Sequence, residues 1–344
     1  MKTYIMHLMA LACMLSCKNE KKENPIENTS NQIETTKQVV MKKVNFKSEG
    51  LNLVGNIFYP PNYKEGSTYP TIVVSGSWTT VKEQMAGLYA KRLAEDGMIT
   101  FAFDFRNFGE SEGLPRAYES PSLKILDIKN AIQFLKSLPE VDTKNIGAFG
   151  VCAGSMYTFM IAAEDEDIKA VATAASWLHD GEAVKLFYGG EEGVQTRIQA
   201  AQAAKKKFVE TGDIDYIKAI STTDNTAAMF GEFDYYLNPE RGAIPEWNQD
   251  QFAVASWEDW LTLDPFPSAV KLNKPVFMVH SDGCVLPDYT RKFFEAIPSS
   301  EKELMWVDTE LPSPMHQFAF YDQDDEVNLA VNAVGNFFKQ KLGQ

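Results

Sequence analysis

The chain has 344 residues, 44% of them hydrophobic and 23% charged, with a formal net charge of −14. Its acidic residues are scattered rather than blocked, and the one basic run, Lys205-Lys206-Lys207, reads as a solvated helix face, so nothing points to a nucleic-acid partner. Four cysteines give no disulfide framework, and three widely spaced histidines beyond His7 give no metal-ligand cluster, so no cofactor or metal is implied.

In chain order, Lys2 precedes an apolar run from Tyr4 to Ser16, then Cys17 and a polar tract. The run is too short to span a bilayer, which takes about 20 apolar residues, and has the form of an export signal. Leu15-Ser16-Cys17 resembles the lipobox of bacterial lipoproteins, with Met14 where Leu is usual; Cys13 after Ala10-Leu11-Ala12 is the competing site. The resemblance implies a signal peptide over 1–16 and lipidation of Cys17. The mature chain would then be a lipoprotein of the cell envelope, periplasmic or attached to the outer membrane through its N-terminal lipid. Residues 17–40 read as a flexible tether and 41–344 as the folded domain.

Val44 to Lys47 and Leu51 to Tyr59, split by Glu49-Gly50, predict an entry hairpin. Thr71 to Ser75 is a short apolar run of the kind buried on both faces of a sheet. Met85, Leu88, Tyr89 and Leu93 share a helical face that Gly97 ends, and Ile99 to Phe103 is the next strand. Ile125 to Leu138 is helical, Asn145 to Val151 a strand, Ser155 to Ala163 a helix and Ala170 to Ala175 a strand. Pro275 to His280 and Leu304 to Val307 are the last strands, before an amphipathic helix through Val327, Val331, Val334 and Phe338. This alternation predicts an α/β fold: a mostly parallel central sheet with helices on both faces and sites at the carboxyl ends of its strands. Between about 180 and 264 the alternation breaks into a helix-prone and then aromatic stretch (Phe230, Phe233, Tyr235, Tyr236, Trp247, Phe252, Trp257, Trp260), read as a cap whose aromatics pack its own core.

The chemistry centres on Gly150-Val151-Cys152-Ala153-Gly154, where a strand turns sharply into a helix around one nucleophilic residue. Small flanks are needed because the central residue of such a nucleophile elbow is strained. In chain order the nucleophile is followed by an acid and then a histidine. Asp282, just past the strand ending at His280, is the expected acid, with Asp288, Asp180 and Asp264 as weaker rivals. His316 in the turn-rich loop LPSPMHQF is the expected base, while His280 and His179 end strands and suit structural hydrogen bonds. The oxyanion donors would be the Ala153 N–H and one from the loop Gly76-Ser77-Trp78, Ser77 first and Trp78 in reserve. A helix N-terminus and His316 would both lower the Cys152 pKa. Attack on an ester, lactone or thioester would give an acyl-thioenzyme that water releases. Cys284 reads as a small buried hydrophobe, with a disulfide to Cys152 the lesser alternative.

With GVCAGS, the segments DFRNFGESEG (Asp104 to Gly113) and MHQFAFYDQ (Met315 to Gln323) resemble the α/β-hydrolase superfamily, in its dienelactone-hydrolase-like and Xaa-Pro-peptidase-like bacterial branch. The resemblance covers about Val44 to the C-terminus. It implies a hydrolase of small to medium acyl substrates with Cys152, as in dienelactone hydrolases, for its nucleophile. The cap is foreign to the compact dienelactone enzymes, and the Xaa-Pro peptidases use Ser. An acyltransferase, an Xaa-Pro peptidase-like hydrolase and an inactive lipid-tethered binding protein stay open as alternatives.

Overall fold

In the computed structural model, which describes residues 38–61 and 63–343, Val40–Ser48 (β1) and Leu51–Tyr59 (β2) form the entry hairpin. Glu49 (φ 48°) and Gly50 (φ 85°) make its turn, both in the left-handed region. The expected signal peptide, Cys17 and nearly all of the tether lie outside the described residues, and Val40 already pairs with Tyr59. Then follow Tyr69–Ser75 (β3), Met85–Ala94 (α1), Ile99–Phe103 (β4), Pro121–Lys136 (α2), Val141–Val151 (β5), Ala153–Ala162 (α3) and Ile168–Ala174 (β6). After the long insertion, which holds Gly190–Thr211 (α4), come Val276–His280 (β7), Pro287–Ala296 (α5), Lys302–Trp306 (β8), Met315–Asp322 (α6) and Asp324–Lys341 (α7).

One sheet runs in the order β1-β2-β4-β3-β5-β6-β7-β8. Only the hairpin side is antiparallel; every pairing from β4 to β8 is parallel. The inner strands carry apolar residues on both faces because helices cover both: Ile72, Val73, Val74, Ala148, Phe149 and Val171 are at most 1% exposed. The chain leaves β3 for β4 on one side and returns to β5 on the other. That reversal opens a crevice between the carboxyl ends of β3 and β5, where open α/β sheets place their sites.

The insertion between β6 and β7 adds no strand to this sheet and forms short paired segments of its own, Tyr216–Ile217 with Phe252–Ala253 and Ile220–Ser221 with Met229–Phe230. Hydrogen bonds fasten it over the crevice: Trp247 Nε1 donates to the Thr79 carbonyl (2.9 Å), and Gln84 Nε2 donates to that of Gly242 (2.6 Å). The DFRNFGESEG loop is structural. Asp104 accepts from the Lys82 N–H and Nζ (both 2.8 Å) and from the Glu110 N–H (2.9 Å), while Arg106 pairs with Asp127.

One difference from the sequence reading matters for function. The segment expected as a loop holding His316 is the first turn of α6, which extended Gln323 (φ −78°, ψ 129°) separates from α7.

Candidate active site

β5 ends at Val151, α3 begins at Ala153, and Cys152 between them takes φ 56° and ψ −122°. A non-glycine residue held there costs on the order of 1–3 kcal/mol, a strain that marks functional positions. The flanking glycines are required by close approach. A Cβ on Gly154 would lie 2.4 Å from the Ser75 carbonyl oxygen and 2.5 Å from that of Gly76, and one on Gly150 would lie 2.5 Å from the Gly154 oxygen. The elbow is thereby pressed against the loop after β3, and that contact brings Ser77 to the sulfur.

Cys152 is 4% exposed. Burial pushes its thiol pKa up, against the Ser77, Tyr321 and Gln317 side chains and the Ala153 N–H, all of which face the sulfur and favour its thiolate. Desolvation outweighs the helix N-terminus here, so Cys152 is a thiol at neutral pH, where the sequence led us to expect an activated thiolate.

Of the expected oxyanion donors, the Ala153 N–H points at the sulfur. Among the described residues neither the Ser77 nor the Trp78 N–H has a protein acceptor, and both residues line the cavity beside Cys152. Their loop is held from behind by buried Glu119, which accepts the Thr79 N–H (2.6 Å) and the Lys124 ammonium (2.8 Å), while the Tyr157 hydroxyl donates to its other oxygen (2.7 Å).

The remaining expected partners are not brought to the sulfur. His316 is buried, but its Nδ1 lies 2.7 Å from the Ser281 hydroxyl and its Nε2 3.6 Å from Glu326. The reason is helix register. Residues four apart share a face of a helix and adjacent residues point about 100° apart. Gln317 and Tyr321 form the face toward Cys152, so His316 and Phe320, in ring contact at 4.8 Å, form another. Asp282 is also turned outward: Arg291 (2.7 Å) and the Trp306 indole N–H (3.1 Å) donate to its carboxylate, and its side chain is 68% exposed. The expected Cys152–His316–Asp282 line is therefore not assembled. Ser281, His316 and Glu326 do stand in a row, but none of the three lines the cavity.

Of the rival residues, Asp288 pairs with Arg291, Asp180 accepts the Glu182 and Ala183 N–H groups, and Asp264 accepts that of Phe266. His179 and His280 are structural, as expected. Burial holds them neutral, with pKa values of about 4 and about 3, and each ring Nε2 meets a carbonyl, of Trp260 (2.9 Å) and Val285 (3.1 Å) respectively. Cys284 is buried and free, as is Cys152.

What the sequence reading missed is Gln317. Its Nε2 donates to the Ala175 carbonyl (2.5 Å), and its Oε1 accepts the Val285 N–H (3.2 Å). The available signal was the pair Gln317 and Tyr321, polar residues at helical spacing in a segment treated as a loop.

The sulfur opens on a cavity of about 330 Å³ walled by Trp78, Trp177, Tyr188, Tyr236, Trp260 and Phe318, with no charged residue and no histidine among the described residues of its lining. The insertion aromatics divide: Phe230, Phe233, Tyr236 and Trp260 reach this wall, whereas Phe252 and Trp257 pack against each other at 4.8 Å.

The chain is 42% identical over 313 residues to the uncharacterized protein YcjY of Escherichia coli K12, covering 87% of this chain and 99% of that one. A thiohydrolase of Aspergillus aculeatus, aneE, is 30% identical over 36% of this chain and 37% of its own. The crystal structure of the α/β hydrolase GrgF from a Penicillium species superposes with a TM-score of 0.71 at 20% identity, covering 89% of this chain and all of that one. Residues 49–308 match the model of the X-Pro dipeptidyl-peptidase (S15) family. With that match over most of its length, the chain belongs to the X-Pro dipeptidyl-peptidase (S15) family and is an α/β hydrolase.

Proposed function

We propose that Cys152 accepts the acyl group of a neutral, largely apolar ester or thioester, forming an acyl-thioenzyme. The observation that carries this reading is the strained Cys152 at the strand–helix junction, its sulfur beside the Ala153 N–H and open to an aromatic, uncharged cavity. Attack would place the developing oxyanion near the Ala153 N–H and a second donor from the Ser77-Trp78 loop; one such donor contributes roughly 2.7–4 kcal/mol to the transition state. The aneE relative is named as a thiohydrolase, which agrees with this chemistry.

Two features weigh against peptide substrates for this member of the family. An enzyme that removes dipeptides from a chain end must accommodate an ammonium group, and a buried ammonium needs a charged partner that the cavity does not supply. An amine leaving group must also be protonated as it departs. Among the described residues the cavity wall carries no carboxylic acid, imidazolium or ammonium to supply that proton, so the tetrahedral intermediate would expel the better leaving group, Cys152 itself.

The test is leaving-group release from neutral aryl and alkyl esters and thioesters with protein in excess over substrate. Cys152→Ala is expected to lower the rate at least about 10³-fold; undiminished release by that variant would contradict the reading. The N-terminal anchor belongs to the same proposal: Cys17→Ser is expected to free the protein from membranes, and unchanged membrane association would remove Cys17 from it.

A further inference from the structure

Removing an acyl group from Cys152 needs a proton acceptor for the incoming water, and the residue on the sulfur at the position of a base is an amide. We propose that Gln317 occupies the general-base position, so that the protein holds the acyl group of a neutral thioester on Cys152 instead of hydrolysing it promptly. This rests on the acyl-acceptor reading above and adds the donor class and the fate of the adduct.

In chain order a hydrolase places nucleophile, acid and base at the carboxyl ends of its strands. After β8 the side chains that α6 turns to the sulfur are Gln317 and Tyr321, whose phenol burial keeps protonated, and not His316. The orientation of Gln317 is fixed from both ends, Nε2 on the Ala175 carbonyl and Oε1 under the Val285 N–H. The carbonyl oxygen is thus already engaged, and an amide takes up no proton near neutral pH.

The acid's position is altered in the same sense. In the turn after β7, Asp282 faces solvent, and the residue turned inward beside Val285 is Cys284. Burial pushes that thiol up to about 12, so it stays neutral. The described lining of the cavity has no carboxylate, imidazole or ammonium that could replace either group.

These substitutions spare one step and block the other. In the first, the Cys152 thiol and R–CO–SR′ give Cys152–S–CO–R and R′SH. The small thiolate fraction of Cys152, its proton passed to water, attacks: the bond from carbonyl carbon to Cys152 sulfur forms, the bond to the R′ sulfur breaks, and the departing thiolate takes a proton back from water. Entering and leaving groups are both thiols, so the intermediate can collapse either way without a fixed acid; an alkoxide leaving group lacks that balance. In the second step water adds to the thioester and must lose a proton as it attacks. Among the described residues no side chain on the cavity wall receives that proton, and water, far less acidic than a thiol, has no comparable ionised fraction to attack with.

The experiment incubates the full chain with excess S-phenylacetyl-N-acetylcysteamine, a neutral aromatic thioester, following thiol release and intact protein mass. The expected result is a burst of one equivalent, a mass gain of one phenylacetyl group at Cys152, and an adduct that persists for hours. Gln317→His, and independently the nearly isosteric Gln317→Glu, are expected to shorten the adduct's life and raise steady turnover by about 10²–10⁴-fold, the usual contribution of a general base. Repeated Cys152-dependent turnover by the wild type would overturn acyl retention and leave the acceptor reading standing. Absence of both burst and adduct would overturn the acceptor reading itself. A normal burst in both Gln317 variants with an adduct as durable as in the wild type would overturn the assignment to Gln317.

Discussion

The two walls of the site are specified in different ways. At the elbow, β5 passes into α3 within a few residues, and every constraint is local: Gly150 and Gly154 have no room for a Cβ, and Cys152 takes the strain. On the facing wall, α6 arrives from the far end of the chain, and which side chain meets the sulfur is decided by where that helix starts. A shift of one residue there exchanges Gln317 for His316, an amide for an imidazole. A nucleophile can thus be read from five residues, whereas its partner depends on the register of an element defined by tertiary packing.

His280, at the end of β7, is fully buried and neutral, with a pKa of about 3 when folded against about 6.5 in an unfolded chain. Between those values the unfolded chain binds the proton that the folded one refuses, so stability falls as pH drops from about 6.5 toward 3. The loss from this residue is on the order of 3–5 kcal/mol. Denaturant titrations at pH 7, 5 and 4 should show it, and His280→Asn should flatten the slope; an unchanged midpoint across that range would mean that His280 titrates normally.

Next in size is the elbow. Gly154→Ala forces a methyl group against the Ser75 and Gly76 carbonyls, backbone atoms that cannot swing aside. We expect a loss of about 1–3 kcal/mol in stability, typical of overpacking, and displacement of the Ser77 loop large enough to abolish the burst. A stable variant with a normal burst would show that the elbow tolerates slack.

The smallest effect sharpens the contrast. His316→Ala should leave the burst rate within about threefold of wild type, since the ring meets Ser281 and Glu326 and not the sulfur. Its cost should appear in stability, about 1–2 kcal/mol for a buried hydrogen bond left unmade. Loss of the burst in a folded His316→Ala protein would restore the imidazole to the reaction.

The sheet was largely legible in the sequence, because runs such as Thr71 to Ser75 and Ile99 to Phe103 are too short and too apolar to be anything but strands buried on both faces. Cys152, Ala153, Ser77 and Trp78 were legible for a related reason: each follows directly from the end of a strand. Asp282 was placed beyond the correct strand, but its direction was set by Arg291 and Trp306, which no local pattern connects to it. His316 was read as a residue of a turn-rich loop placed to reach the sulfur. Two prolines, Pro312 and Pro314, gave that impression, yet α6 begins at Met315, and a helix leaves its side chains no freedom to turn. The division of the insertion aromatics between wall and packing was likewise not in the pattern, since Trp257 and Trp260 lie within one short helix and differ only in what they face.

The rate of carbamidomethylation at Cys152, followed by peptide mapping from pH 6 to pH 10, tests most directly which group faces the sulfur. With Ser77, Tyr321 and Gln317 around a buried thiol, labelling should be slower than at a free cysteine at pH 7. It should still be rising at pH 9 without a plateau, as a thiol with a raised pKa requires. A rate that levels off between pH 6 and pH 7, and loses that plateau in His316→Ala, would show an imidazole on the sulfur and contradict the account.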